Sequence, residues 1–299
     1  MRRVLKVGVA LAVLTSVNYL LGTDEQVHAS ENQEELDKMK VMSFNLRNSG
    51  GNDPSPHSWS ERRPTVQSFL ETEEPDILGT QEALYDQVTH LDEDLPDYEW
   101  IGIGREGGTD GEFMAIYYKS DRFKPTDTGH YWLSDTPDVV GSTSWGNTIP
   151  RMVTWAKFEE EATGEQFYFV NTHFDHQSEE SRQKSAELII EKINEYDESL
   201  PIILTGDFNT TPDSVSHGIL TGEGLFEDPW DYAEEKINEE LGTFNGFNDP
   251  TGGGTDNKID WVLTKNILAE SIGINDYRNG EQYPSDHFPV IAEFKLGEE

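Results

Sequence analysis

"PIILTGDFN", residues 201–209, decides how the rest of the chain is read. Its apolar, β-branched run Ile202-Ile203-Leu204 predicts a buried strand. That strand ends in Thr205, Gly206, Asp207, Phe208 and Asn209, an acid and an amide two residues apart. A strand that merely turns needs a Gly or an Asn, not this set. The same construction recurs along the chain. Asn45 closes "VMSFN", Glu82 follows "DILGTQ", His173 follows "FYFVNT", Asp260 lies in "NKIDWVL", and Asp286-His287 open "SDHFPV". Asp260 sits between Ile259 and Trp261, an apolar setting in which a carboxylate needs a partner. Each residue alone is explained by a turn, a cap or an exposed surface. Together they are polar groups delivered repeatedly to strand ends.

Around these points the chain alternates strand-like and helix-like segments. Strands are expected in "MKVMSFNLR" (39–47), "DILGTQEA" (76–83), "EFMAIYYKSDRF" (112–123), "RMVTWAKFEE" (151–160), "EQFYFVNTHFDH" (165–176), "KIDWVLTK" (258–265) and "HFPVIAEFKL" (287–296). Helical spacing appears at Val66, Phe69 and Leu70, and again at Ala186, Ile189, Ile190 and Ile193. There is no internal repeat and no linker rich in Pro or Ser, so one domain is expected over 39–299, behind a polar leader at 30–38. Many strands and few helices predict an α+β fold: a four-layer α/β sandwich, with two packed mixed β-sheets flanked by helices and the polar strand ends on one rim.

Composition narrows the chemistry. The 299 residues contain no cysteine, which excludes disulfides, thiolate metal sites and a cysteine nucleophile. A bound metal would have oxygen or imidazole ligands, and hard oxygen donors favour Mg, Mn or Ca. There are 22 Lys and Arg against 58 Asp and Glu, a formal charge of −36. Such a surface repels polyanions, and no run of Lys and Arg offsets it, so charge does not favour a nucleic-acid partner. Acids spread along the whole chain fit adaptation to high salt, where charges are screened within about 3 Å at 1 M. The first thirty residues differ: Arg2, Arg3 and Lys6 precede an apolar stretch from Val7, and Val27-His28-Ala29 resembles a cleavage site. Residues 1–29 are expected to be a secretory signal peptide, with an uncleaved N-terminal anchor as the alternative and no membrane insertion after removal. The mature chain is expected to be secreted and monomeric.

"FNLR", "QE", "NTHFDH", "GDFN", "IDWVL" and "SDHFPV", in that order, resemble the motifs of the endonuclease/exonuclease/phosphatase superfamily. The resemblance runs from about Lys40 to Phe294. "WLSDTP" through "PRMVTWAKF" is similar to a bacterial, often secreted branch. The resemblance implies that Glu82 binds a metal, Mg²⁺ or Mn²⁺, with Asn45 and Asp286 in the same cluster. It implies that His173 lies beside the scissile phosphate, that Asp207 and Asn209 position nucleophile and phosphate, and that Asp260 supports His287. It further implies that Glu112 orients His173.

The chemistry fits these roles. Phosphate-ester hydrolysis needs an activated water, neutralisation of the phosphoryl oxygens and help for the leaving oxygen. Asp207 can take a proton from water, Asn209 can donate to a phosphoryl oxygen, and a charged imidazole can stabilise the pentacovalent state. The long segment 131–151 is read as a functional loop. Trp145 and Arg151 within it, with Asn171 and His176 in "NTHFDH", are the candidate substrate contacts. The expected function is a secreted, divalent-metal-dependent hydrolase of a phosphodiester or phosphomonoester. The alternatives are an extracellular DNA or RNA nuclease and a non-catalytic binding protein on the same fold.

Overall fold

Alternation along the strands builds the core of the computed structural model, which describes residues 38–222 and 225–296. The expected signal peptide lies outside the described residues, and so does the leader up to residue 37. One sheet has seven strands, in the order β3 (Tyr98–Ile101), β4 (Ile116–Lys119), β2 (Ile77–Gln81), β1 (Lys38–Asn45), β12 (Val290–Lys295), β11 (Ala269–Ile274) and β9 (Glu235–Ile237). The other has five: β10 (Asp260–Lys265), β8 (Ile202–Asp207), β7 (Gln166–His173), β6 (Met152–Glu160) and β5 (Phe123–Trp132). Both are mixed: β1 runs parallel to β2 and β7 to β8, while β10 is antiparallel to β8 and β6 to β7.

Between the sheets, Val41, Ile77 and Ile116 of one meet Phe158, Phe167, Phe169 and Ile203 of the other, all buried. Burial of each such side chain is worth about 2 kcal/mol. The alternate residues face outward. Met42, Phe44 and Leu78 pack under helices α1 (Trp59–Glu73) and α2 (Tyr85–Asp94) through Phe69, Leu70, Val88 and Leu91. Val170 and Leu204 pack under α3 (Glu179–Ile193) and α4 (Val215–Thr221) through Ala186, Ile189, Ile193 and Leu220. Ser178 caps α3 by accepting from Ser181 N at 3.1 Å, and Glu179 and Glu180 in the first turn complement the helix dipole. Layer order is therefore helix, sheet, sheet, helix, as the segment pattern predicts.

The expected strand over 112–123 is two elements. β4 ends at Lys119, the chain turns, and β5 starts at Phe123. "FKPTDTGHYW" contains Pro125 and Gly129 and shows no apolar alternation, so propensity hides it. It survives as the edge strand of its sheet, with a register shift between Pro125 and Asp127 where the proline needs no ladder partner. α2, β3, β9 and β11 likewise lie outside the elements expected from sequence.

On the inter-sheet face the apolar side chains give way to polar ones toward one rim. β7 presents Phe167 and Phe169, then Asn171 and His173; β8 presents Ile203, then Thr205 and Asp207. The intermediate layer is a hydrogen-bond network centred on Asn171. Asn171 Nδ2 donates to the carbonyls of Thr80 at 2.8 Å and Ala115 at 3.1 Å, and its Oδ1 accepts from Gln81 Nε2 at 2.8 Å and Thr205 Oγ1 at 3.1 Å. Gly79 must be glycine here: a Cβ would stand 2.5 Å from Thr205 Oγ1 and 2.8 Å from Asn171 Oδ1. This layer fixes the sheets relative to one another directly beneath the rim.

Candidate active site

Three strands end by throwing the chain into left-handed backbone without glycine. Arg47 follows β1 with φ 51°, Glu82 follows β2 with φ 65°, and Asn209 follows β8 with φ 51°. Such conformations cost about 1 kcal/mol or more each and persist where surrounding structure enforces them. They aim three polar side chains into one cleft of about 390 Å³.

The floor is a braced acidic cluster. Asn45 Nδ2 donates to Glu82 Oε1 at 3.1 Å and to Asp207 Oδ2 at 2.9 Å, drawing two carboxylates together. Asn48 donates through its backbone and side chain to Glu82 Oε2, both at 3.2 Å. His287 Nδ1 bonds Asp260 Oδ2 at 2.8 Å, and its Nε2 lies 3.9 Å from Asp207 Oδ2. Asp286 stands beside them, its Oδ2 3.8 Å from Arg47 Nε. Opposite, His173 Nε2 lies 3.4 Å from Asp207 Oδ2 and 2.9 Å from Asn209 Nδ2.

Environment divides these groups. Burial pushes Asp207 up to about 7, with the neighbouring Asp260 adding to the rise against the pull of His287. Burial also raises Asp286. Glu82 goes the other way: burial disfavours its charge, but His287 and the donors on Asn45 and Asn48 outweigh that and hold it below the usual range. His287 is buried, which alone would lower it, yet Asp260, Asp207 and Asp286 raise it well above an ordinary histidine. His173 is held well below, by burial first and then by the charges of Arg151 and Arg105. One imidazole is a cation and the other neutral.

The donor set suits a hard divalent cation. Ligand atoms of Glu82, Asp207 and His287 lie within 4.8 Å of one another. The hard oxygen donors are the carboxylates of Glu82 and Asp207, with Asp286 adjacent, and Asp260 holds His287 through its Nδ1. A cation there also relieves the crowding that raises Asp207 and Asp286.

The structure therefore brings together Asn45, Glu82, His173, Asp207, Asn209, Asp260, Asp286 and His287. Five sequence expectations change. Asn45 offers its amide N–H to Glu82 and Asp207 while its Oδ1 accepts from Arg47 N at 2.9 Å, so here it braces the two acids. Both amide hydrogens of Asn209 are engaged, one toward His173 and one on Phe174 O at 3.0 Å, so it positions His173 where a bond to phosphate was expected. Glu112 is held by Arg105, and its Oε2 stays 4.0 Å from His173 Nδ1, beyond hydrogen-bond reach. Asn171 is in the layer beneath the site and does not reach the cleft.

Trp145 also lies away from the lining. Its Nε1 donates to Asp135 Oδ1 at 2.8 Å, inside the loop expected over 131–151, which begins only after Trp132 because Tyr131 and Trp132 close β5. Arg151 and His176 do line the cleft. Sequence reasoning missed Arg105, Ile149 and Phe244, which complete the walls, and gave no role to Arg47. Arg47 stood inside "FNLR"; Arg105 carries no motif, and only the glycines around it mark its tight turn. Gly104 is obligatory there, since a Cβ would meet Asp110 O at 2.1 Å.

A model of the Endonuclease/Exonuclease/phosphatase family matches residues 42–287. A solved structure of a protein so described from Bacteroides vulgatus is 36% identical, covers 87% of this chain and 99% of its own, and has a TM-score of 0.81. A mannosyl-6-phosphatase of Bacteroides thetaiotaomicron is 35% identical, covering 86% of this chain and all of its own, also with a TM-score of 0.81. An uncharacterized protein of Acanthamoeba polyphaga mimivirus is 34% identical over 182 residues, 58% of this chain and 67% of its own.

Proposed function

The chain belongs to the endonuclease/exonuclease/phosphatase family, whose members are hydrolases of phosphoric esters that use divalent metals, and from that premise we propose that it is an exported, divalent-metal-dependent phosphoesterase acting on a small phosphate ester. The observation that carries the reading is the convergence of Glu82, Asp207 and His287, with Asp260 behind His287, at the floor of an open cleft. A carboxylate brought to about 7 beside an imidazole raised well above its ordinary value, both in one cleft, supports catalysis over silent binding.

Glu82, Asp207 and Asp286 would hold Mg²⁺ or Mn²⁺, which would supply Lewis-acid polarisation of a phosphoryl oxygen. This chain's own groups do the rest. Asp207, beside both imidazoles, accepts a proton from the attacking water. His287 places positive charge beside the phosphoryl oxygens as negative charge builds on them. His173, neutral, is held by Asn209 with Nε2 as acceptor, which puts its hydrogen on Nδ1. The sugar-phosphate activity of the Bacteroides mannosyl-6-phosphatase supports a phosphorylated sugar or similar small ester as substrate. The surface charge of −36 argues against long nucleic acids. Export rests on the signal-like character of residues 1–29, and mass spectrometry of the secreted chain should find Ser30 at its start.

The test is a panel of sugar phosphates, 4-nitrophenyl phosphate, bis(4-nitrophenyl) phosphate, plasmid DNA and RNA, assayed with Mg²⁺, with Mn²⁺ and after exhaustive chelation. Hydrolysis of a small ester that vanishes on chelation and returns with metal is expected. Full turnover in the chelated protein would refute metal dependence, and activity confined to DNA or RNA would refute the substrate class.

A further inference from the structure

Arg47, Arg105 and Arg151 all line the cleft, in a chain with only 22 basic residues against 58 acidic ones. Arg47 is matched twice over by Asp53, at 3.0 and 3.1 Å, and is partly exposed. The other two are different. The Arg151 side chain is 4% exposed and that of Arg105 12%. Arg105 rests on Glu112 through Nη1, but its Nε has no hydrogen-bond partner. Arg151 gives Nη2 to His176 Nδ1 at 3.0 Å and lies 3.7 Å from Asp175, whose Oδ1 accepts from Gln177 N and Ser178 N. Among the described residues its Nε and Nη1, like Arg105 Nε, have no hydrogen-bond partner. His173 Nδ1, in the same corner, is also unpartnered.

Buried donors without acceptors are costly, and more so when charged. Four of them in one wall of a catalytic cleft mark a place built for an anion that arrives from outside. The geometry also says what kind. A polyanion is gripped by exposed cations along a track. Here the guanidiniums are recessed, each already leaning on a carboxylate, so their charge is felt only at short range. A recessed guanidinium pair suits one localised, doubly charged group, met by several N–H donors at once.

Resting on the phosphoesterase reading above, we propose that Arg105 and Arg151, with His176 buttressing Arg151, form a clamp for the terminal oxygen of a phosphomonoester, so that this site selects monoesters over diesters. A monoester dianion has three non-bridging oxygens. The acidic floor with its cation engages one side of the group, and the arginine wall takes the oxygen left over. A diester has an ester oxygen and a carbon substituent at that point, which brings no charge and does not fit against two buried guanidiniums. Phe244, 42% exposed, and Ile149 lie on the remaining lining, where they offer apolar surface to the leaving alcohol. In the reaction the phosphorus bond to that alcohol breaks as the water oxygen bonds to phosphorus. One water proton ends on the alcohol and the other stays with the released phosphate.

The experiment uses the metal-loaded protein and its Arg151→Gln and Arg105→Gln variants. Inorganic phosphate is titrated by calorimetry, and kcat/KM is measured on 4-nitrophenyl phosphate and bis(4-nitrophenyl) phosphate. Each variant should lose about tenfold or more in phosphate affinity, and the monoester-to-diester ratio should fall by a similar factor. Phosphate affinity unchanged in both variants, equal losses on both esters, or a wild-type protein that prefers the diester would each overturn the clamp. If no ester is hydrolysed but phosphate affinity still falls in the variants, the clamp stands and the phosphoesterase reading fails. Arg105→Gln and the charge-keeping Arg151→Lys maintain the test if Arg151→Gln does not fold, since the lysine should recover only part of the affinity that two planar donors give.

Discussion

The two sides of the cleft solve opposite problems with the same depth of burial. On the floor side, Glu82, Asp207, Asp260 and Asp286 crowd negative charge around His287, which is kept protonated. On the wall side, Arg105 and Arg151 crowd positive charge around His173, which is kept neutral. Both histidines end up buried, so burial alone would lower both. What separates them is the partner on Nδ1: a carboxylate at 2.8 Å for His287, none for His173. Asp207 stands between them, 3.9 Å from one ring and 3.4 Å from the other. The lesson is that two buried imidazoles a few ångströms from one carboxylate are driven to opposite protonation states when each is surrounded by its own set of charges.

The strongest way to break this comparison is to remove the group both halves share. Asp207→Ala should lower turnover by about a thousandfold or more, since proton acceptance and one carboxylate ligand disappear together. Phosphate binding through the arginine wall should change far less. Steady-state kinetics beside phosphate titration read both; near-normal turnover would remove Asp207 from the mechanism.

A second measurement sharpens the division through an acid of the basic half. Glu112 is pushed up to about 7, chiefly by burial and against the pull of Arg105. A raised carboxyl favours the folded state below its ordinary value of 4.5, and that contribution is lost as pH rises through about 7. Urea unfolding of the wild type and Glu112→Gln should therefore diverge between pH 4 and pH 8, by at most about 3 kcal/mol in the variant's favour. A pH-independent difference would mean that Arg105 fixes Glu112 as an ordinary ion pair.

The smallest effect concerns the cleft against the surface around it. Repulsion among the surface acids is screened by salt, whereas contacts inside the recessed wall are screened much less. The melting temperature should rise by a few degrees from low to molar salt, while turnover of a small ester holds up. Flat melting with activity that collapses in salt would show that the surface is not salt-adapted and that phosphate is gripped at long range.

The floor was legible in the sequence because it is built from strand ends. Period-two alternation forces Asn171, His173, Thr205 and Asp207 onto one face, and a polar residue at the end of an apolar strand has only the rim to occupy. "GDFN" and "SDH" thereby located Asp207 and His287 and gave the layered fold with them. β5 escaped because an edge strand tolerates Pro125 and Gly129, which no propensity argument admits. The wall was legible only in part: Glu112, Arg151 and His176 were named, while Arg105, Ile149 and the wall's pairings escaped for a related reason. Arg105, Glu112, Ile149 and Arg151 come from loops, whose course is set by close approaches such as that at Gly104 and by long-range hydrogen bonds, not by periodicity. Even within the floor, the partner of each group was decided only in three dimensions. Whether Asn45 offers oxygen or nitrogen, whether Asn209 faces phosphate or His173, and which histidine carries charge depend on distances of a few ångströms between strands far apart in the chain, where electrostatic energy varies steeply with separation and burial.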